Sequence, residues 1–511
     1  MPQLKGELNL QHFFDVIFND EQVSLSSKLL ENVENSYQFL KDFSKNKVIY
    51  GVNTGFGPMA QYKIKEEDCI RLQYNLIRSH ASGVGTPLSK KYVKAGILAR
   101  LNTLSLGYSG VHVSAIALMK ELINRNIIPL IYEHGGVGAS GDLVQLAHLA
   151  LVLIGEGEVF YKGEQESTAK VFKKEGLKPM KISLREGLGI INGTSIMSGI
   201  GIVNVIYTKR LLNYAIQCSA AINEIVQAYD DHLSETLNNA KKHKGQQKIA
   251  EYMRTHLKDS TLTKKRDQFL YSERGSNVGD VFKEKVQEYY SLRCVPQILG
   301  PVLDTVNNVA KVLIEEVNSA NDNPVVDVKQ EQVYHGGNFH GDYVALEMDK
   351  LKIAVTKMTM LSERQLNYLL NAKLNDILPP FVNLGKLGLN FGMQGVQFTA
   401  TSTTAENQTL SNPMYIHSIP NNNDNQDIVS MGTNAALMTK KVIENAYEVL
   451  AIELITIVQA ITFLGYEEKV SSKTKLLFTA VRELVPVFKE DLVMYPYVAA
   501  VKNYLMNTKS K

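Results

Sequence analysis

At 511 residues, 44% hydrophobic and 21% charged, the chain can bury a large core and has the make-up of an ordinary soluble globular protein of several structural units. A formal net charge of +3 excludes strong general attraction to nucleic acid, and the run Lys241-Lys242-His243-Lys244 reads as a solvated turn. Three scattered cysteines (Cys69, Cys218, Cys294) exclude a disulfide framework and a CxxC metal site. The opening MPQLKGELNL lacks the basic segment and apolar core of a signal peptide, so a cytoplasmic protein is expected.

In chain order, the apolar Val48-Ile49-Tyr50 runs into a glycine-rich loop at residues 51–57. Residues 89–106 read as a helix with Ser89 as its amino-terminal cap, and Val113–Asn124 as the next. A strand-like apolar run at 127–132 precedes the segment His134-Gly135-Gly136-Val137-Gly138-Ala139-Ser140-Gly141-Asp142, and a helix over 142–154 follows it.

That glycine-rich segment admits two chemistries. As a pattern, Gly136-x-Gly138-x-x-Gly141 is a dinucleotide-binding fingerprint, and Glu158, beside Val159, Phe160 and Tyr161, lies near the place of a ribose-binding carboxylate. The pattern alone is a common accident of glycine turns, and this chain does not repeat the strand–helix unit of such a domain. As chemistry, Ala139-Ser140-Gly141 can cyclise on itself. The Gly141 nitrogen attacks the Ala139 carbonyl carbon, an approach open to a residue without Cβ, and Ser140 loses its hydroxyl as water to leave an electrophilic methylene. Glycines 135, 136 and 138 allow the strained backbone such a ring demands. Asp142 and Gln145 have capping-box spacing, which predicts the tripeptide at the amino end of the next helix, where N–H groups and the dipole favour negative charge.

Beyond residue 196 the character changes to long helices over 202–230, 301–318 and 438–464. A further stretch from Gly341-Asp342 has no Gly or Pro until Pro379. Within it Val344, Met348, Leu351, Val355 and Met358 form an apolar stripe that belongs in a core. Residues 449–464 are the best membrane candidate, but Glu453 and Gln459 interrupt them and a buried core helix is expected. The division predicted is a mixed amino-terminal domain over 1–195 and a helix bundle over 196–511, with a mobile linker at 267–280. Tyr290 and Arg293, three apart, share a face if helical, and Arg293 offers a planar fork for a carboxylate. His335, His340 and Asp342 do not have the spacing of a metal site, and no metal is expected.

Residues 134–147, HGGVGASGDLVQLA, resemble the prosthetic-group segment of the aromatic amino acid ammonia-lyases, and the likeness runs almost end to end. It includes Tyr50-Gly51-Val52-Asn53-Thr54-Gly55-Phe56-Gly57, Asn192-Gly193-Thr194, Tyr290-Ser291-Leu292-Arg293-Cys294, Gly337-Asn338-Phe339-His340-Gly341 and Asn425-Gln426-Asp427. The resemblance implies that Ala139, Ser140 and Gly141 form 4-methylidene-imidazol-5-one (MIO), with no external cofactor. It implies a mainly α, fumarase/aspartase-like long-helix bundle with a smaller mixed α+β amino-terminal domain carrying that group. It further implies a homotetramer with shared active sites, acting on a small aromatic amino acid, without nucleic acid or membrane partners.

The same resemblance makes Tyr50 the base, with loop 51–57 as its lid, and gives Tyr290 a supporting catalytic role. It assigns the substrate carboxylate to Arg293, orientation of ring and substrate to Asn192, and the leaving amine to Glu406. Phe339 would pack on the aromatic ring, with Gln426, Asn425 and Gly57 on the substrate-binding surface. Ser79-His80 falls where the family reads the substrate side chain and is the pattern of histidine ammonia-lyases, and Gln287 also resembles a histidine-lyase position. The segments RLQYNLIRSHASGVG, QEYYSLRCVPQILGP, VQFTATSTTAENQ and SIPNNNDNQDIVSMG are instead similar to bacterial tyrosine ammonia-lyases. His80 can pair with a phenol or an imidazole, and such a site should reject phenylalanine. Conversion of L-tyrosine to trans-p-coumarate and ammonia is therefore expected, with histidine ammonia-lyase as the alternative and a tyrosine aminomutase as a third reading.

Overall fold

The computed structural model describes residues 3–4, 6–271, 282 and 285–508, and 59% of the chain is helical. Two compact units emerge. One comprises Met1–Ile206, Val309–Asp349 and Pro413–Lys440; the other comprises Tyr207–Asn308, Lys350–Asn412 and Lys441–Lys511. A single cut at residue 195 does not describe this interleaving, because the division falls inside the four longest helices, Ser195–Ile225, Val295–Val317, Asp342–Leu370 and Gly432–Leu464.

In the first unit the helix Lys90–Ser105 is buried from Tyr92 to its end, so it shows no amphipathic stripe. Its two buried cations are held by specific partners: Lys94 reaches Asp20 at 2.8 Å and Asn126 at 3.0 Å, and Arg100 is taken up below. Ser27–Phe43 and Val113–Asn124 pack against it, and Glu66–His80 packs against Leu143–Leu153, each with a buried apolar face. The sheets are small. Tyr132–His134, which leads into the glycine-rich segment, pairs antiparallel with Val84–Pro87, and Glu158–Tyr161 lies antiparallel between Ile128–Pro129 and Glu164–Ser167. A dinucleotide fold needs parallel strands on both sides of its glycine turn, so the fingerprint reading fails here.

The second unit is helical, with buried stripes such as Leu351, Val355, Met358 and Leu361 facing a common core. The stripe from Val344 to Met358 is buried throughout. Gly432–Leu464 has 33 residues and is, among the described residues, the one helix long and apolar enough to cross a membrane; 78% of its most apolar window is buried. Burial, not shortness, identifies it as a core helix. The long helices begin earlier than the sequence suggests, at Ser195, Val295 and Gly432, with Pro301 inside its helix. Gly and Pro punctuate weakly where tertiary packing supplies the missing stability. Most of the expected linker, residues 272–280, lies outside the described residues; Arg266 just before it pairs with Asp231 at 2.8 Å.

Candidate active site

The tripeptide sits between the strand Tyr132–His134 and the helix Leu143–Leu153, at that helix's amino end. Ala139 is buried against Val429 and Met431. Gly141 adopts φ +69°, and a Cβ there would lie 2.0 Å from the Gly193 carbonyl oxygen, so glycine is required for conformation and for space. The two backbones bridge, with Asp142 N donating to Gly193 O at 2.7 Å. Gly138 is equally constrained: with φ +73°, its Cβ would meet Ser430 Oγ at 2.1 Å.

The expected capping box does not form. Asp142 occupies the cap position without capping its own helix. Its carboxylate instead accepts from Ile196 N at 2.8 Å and Met197 N at 2.9 Å, capping the helix Ser195–Ile225, and also from the Thr433 hydroxyl. Burial pushes this carboxyl up to about 6, opposed by those same hydrogen bonds. Gln145 turns away and donates to Glu133 O at 3.2 Å.

Ser140 lines a cavity of about 710 Å³. Its hydroxyl accepts from Gln426 Nε2 at 2.8 Å, and its carbonyl oxygen accepts from Asn192 Nδ2 at 3.1 Å. Asn192 is held on its other side by Asn323 N, which donates to Oδ1 at 2.8 Å. Behind it lies the fully buried Arg100, whose guanidinium donates to the carbonyls of Gly189 and Asn192 (the latter at 2.7 Å) and to Asn321 Oδ1 at 3.0 Å. Burial lowers the pKa of Arg100 to about 10, which still leaves it cationic near neutrality.

Tyr50 faces the same cavity from a turn. Its hydroxyl oxygen accepts from Gly57 N at 3.1 Å, so the glycine-rich loop closes back on the tyrosine. Its own N–H points at His335 Nε2, 3.4 Å away, and Phe56 meets its ring edge-on at 6.1 Å. Burial, helped by the charge of Arg185, holds His335 below its ordinary pKa and so keeps that acceptor lone pair. The helix Glu66–His80 contributes Leu72, Asn75, Leu76, Ser79 and His80 to the wall; Gly57, Phe339, Asn425 and Gln426 complete the predicted set found here.

His80 Nδ1 lies 3.0 Å from both the Leu76 carbonyl oxygen, an acceptor only, and Ser79 Oγ; the carbonyl favours the tautomer with hydrogen on Nδ1 and Nε2 as the acceptor. His340 pairs with Asp342 at 3.3 Å, away from His335. Among the described residues, no Lys, Arg, Asp or Glu side chain lines the cavity.

The remaining predicted residues belong to the second unit and do not line this cavity. Gln287 and Tyr290 border an open depression of about 620 Å³, together with Arg364 and Tyr368. Tyr290 is exposed, and Arg293 stacks on its ring at 4.8 Å while donating Nε to Glu288 O at 2.9 Å. Glu406 accepts from Asn445 Nδ2 at 2.6 Å and lies 3.9 Å from Lys441 Nζ. Sequence reasoning missed Asn323 and Arg100, for which no local pattern exists. It also missed Leu72, Asn75 and Leu76, although their helical spacing with Ser79 was a usable signal.

The sequence pattern described as aromatic amino acid lyase matches residues 8–483. A histidine ammonia-lyase of Caldanaerobacter subterraneus subsp. tengcongensis is 39% identical over 96% of this chain and 93% of its own. A tyrosine 2,3-aminomutase of Chondromyces crocatus is 39% identical over 98% of this chain and 95% of its own. The solved phenylalanine aminomutase of Pantoea agglomerans superposes with a TM-score of 0.95 at 33% identity, covering 99% of both chains. Likeness of this extent, together with a glycine-constrained Ala-Ser-Gly at a cavity wall, means that the chain belongs to the aromatic amino acid lyase family.

Proposed function

We propose that the protein is an ammonia-lyase that converts L-tyrosine to trans-p-coumarate and ammonia, using MIO formed from Ala139, Ser140 and Gly141. The observation that carries this reading is the convergence of Ser140, Tyr50 and His80 on one uncharged cavity. The residues present fit the group: Gly141 has the conformation and clearance that only glycine tolerates, and both oxygens of Ser140 already meet amide donors. MIO, once formed, supplies an electrophilic carbon that draws electrons from the substrate.

Tyr50 takes the β-proton, its hydroxyl oxygen held in place by the Gly57 N–H at 3.1 Å. His80 Nε2 accepts a hydrogen bond from the phenol O–H of the substrate, and Phe339 packs against the ring. Among the described residues, the cavity offers the substrate's carboxylate and amine no Lys, Arg, Asp or Glu partner. We assign these to Arg293 and Glu406 of neighbouring copies in a homotetramer, with Tyr290 and Gln287 alongside. Three cysteines free of disulfides agree with the reducing cytoplasm as its compartment.

An imidazole N–H can also donate to His80 Nε2, and relatives named histidine ammonia-lyase are as similar as those named tyrosine 2,3-aminomutase. Histidine is therefore the second reading and β-tyrosine formation the third. Product analysis with tyrosine, histidine and phenylalanine side by side decides among them. p-Coumarate with an equal amount of ammonia is expected; urocanate alone overturns the substrate, and β-tyrosine overturns the outcome.

A further inference from the structure

Ser140 is gripped in a way that substrate handling does not require. Its hydroxyl oxygen receives Gln426 Nε2 at 2.8 Å, and among the described residues nothing else donates to it. Its carbonyl oxygen receives Asn192 Nδ2 at 3.1 Å. The orientation of the Asn192 amide is dictated, because Oδ1 is occupied by the Asn323 N–H, so its donor end must face Ser140. Gln426 is delivered by a tight loop in which Asn421 and Gln426 exchange backbone hydrogen bonds at 3.2 and 3.3 Å. Between them Asn422, Asn423 and Asp424 all take left-handed φ of 52–57°, a conformation that Asn and Asp tolerate better than other residues with a Cβ.

We propose that Gln426 promotes the loss of water from Ser140 that completes the prosthetic group, by donating to the departing hydroxyl while Asn192 holds the carbonyl oxygen on which negative charge gathers. This rests on the self-made electrophile proposed above and adds the residue that helps make it. In the step, the Ser140 Cα–H bond breaks and its electron pair becomes the second bond between Cα and Cβ. The Cβ–Oγ bond breaks, and the hydroxyl leaves with the released proton as one water. The other water comes from ring closure: the Gly141 nitrogen bonds to the Ala139 carbonyl carbon, whose oxygen departs with the amide protons of Ser140 and Gly141. A neutral amide donor placed on a leaving oxygen lowers the barrier only while charge develops there.

The test is intact mass of purified chain that has never met substrate, followed in time after synthesis, for wild type, Gln426→Met and Gln426→Glu. Met matches the length of Gln without a donor; Glu matches its shape and, ionised, can only accept. Wild type should be lighter by two waters. Both variants, with unchanged circular dichroism, should accumulate species lighter by one water or none, and complete the second loss about tenfold more slowly or worse. Variants as fully dehydrated as wild type at the earliest time overturn the role of Gln426, and so does full dehydration of Gln426→Glu alone, which would mean that Ser140 donates to residue 426 instead. Wild type of undiminished mass overturns the electrophile itself, a separate failure.

Discussion

The cavity of the first unit and the candidate residues of the second differ in one respect above all. The cavity is rich in hydrogen-bonding groups and, among the described residues, has no Lys, Arg, Asp or Glu side chain, whereas Arg293 and Glu406 of the second unit are the charges proposed above for the two ends of an amino acid. A neutral, shaped cavity selects a ring and activates a carbon; it cannot pair a carboxylate or an ammonium. On the function proposed above, that separation predicts that activity requires assembly.

The hardest blow to the cavity side is Ser140→Ala. It should leave the fold intact, prevent the loss of water from residue 140 that forms the methylene, and remove about a millionfold or more of the rate, the ordinary scale of enzymatic acceleration. On the other side, Arg293→Met should cost roughly 2–5 kcal/mol in kcat/KM, about thirtyfold to several thousandfold, as expected for one half of a desolvated charge pair. Co-expressing the two impaired variants joins the tests. Mixed oligomers regain activity where one copy supplies Ser140 and another Arg293; if none returns, both residues act within one chain and the comparison drawn above breaks.

Tyr50→Phe tests the base within the cavity. It should lower kcat by about a hundredfold to ten-thousandfold, the range of general base catalysis, without altering the loss of two waters from the chain. His80→Leu should act more gently on rate but sharply on choice. With the Nε2 acceptor gone, kcat/KM for tyrosine falls and that for phenylalanine rises, and their ratio shifts by about a hundredfold or more. An unchanged ratio would remove His80 as the reader of the side chain.

The division between legible and hidden parts of this molecule follows the range of the interactions. Val113–Asn124 is read from sequence to the residue because apolar periodicity and flanking turns are local. The placement of the tripeptide at a helix start is local too. The work of Asp142 is not: its partners Ile196 and Met197 lie far along the chain, and the nearby Gln145, which fits a capping box by spacing, turns elsewhere. Arg100 is hidden for the same reason. Inside a helix it reads as a surface residue, and only the fold reveals a buried guanidinium gripping the backbone of Asn192. The uncharged cavity could not be read at all, since neither charge nor its absence at a site is a property of any one segment.

A smaller effect sharpens what the second unit contributes apart from its charged candidates. Glu453 lies fully buried in the helix Gly432–Leu464; neither carboxylate oxygen makes a full hydrogen bond, and Ser362 gives the charged form only partial support. Burial pushes its carboxyl up to about 8. In the unfolded chain the same group ionises near pH 4.5, so between those values the folded state binds more protons. Stability therefore declines as pH rises from about 4.5 to about 8, and levels off above. Glu453→Gln cannot ionise, and its melting temperature should gain on that of wild type by a few degrees between pH 5 and pH 8, with kcat and KM unchanged at either pH. Parallel melting curves would mean that Glu453 is charged in the folded protein. A shift in KM instead would tie the core of the second unit to the binding of substrate, and the separation of cavity from scaffold would have to be redrawn.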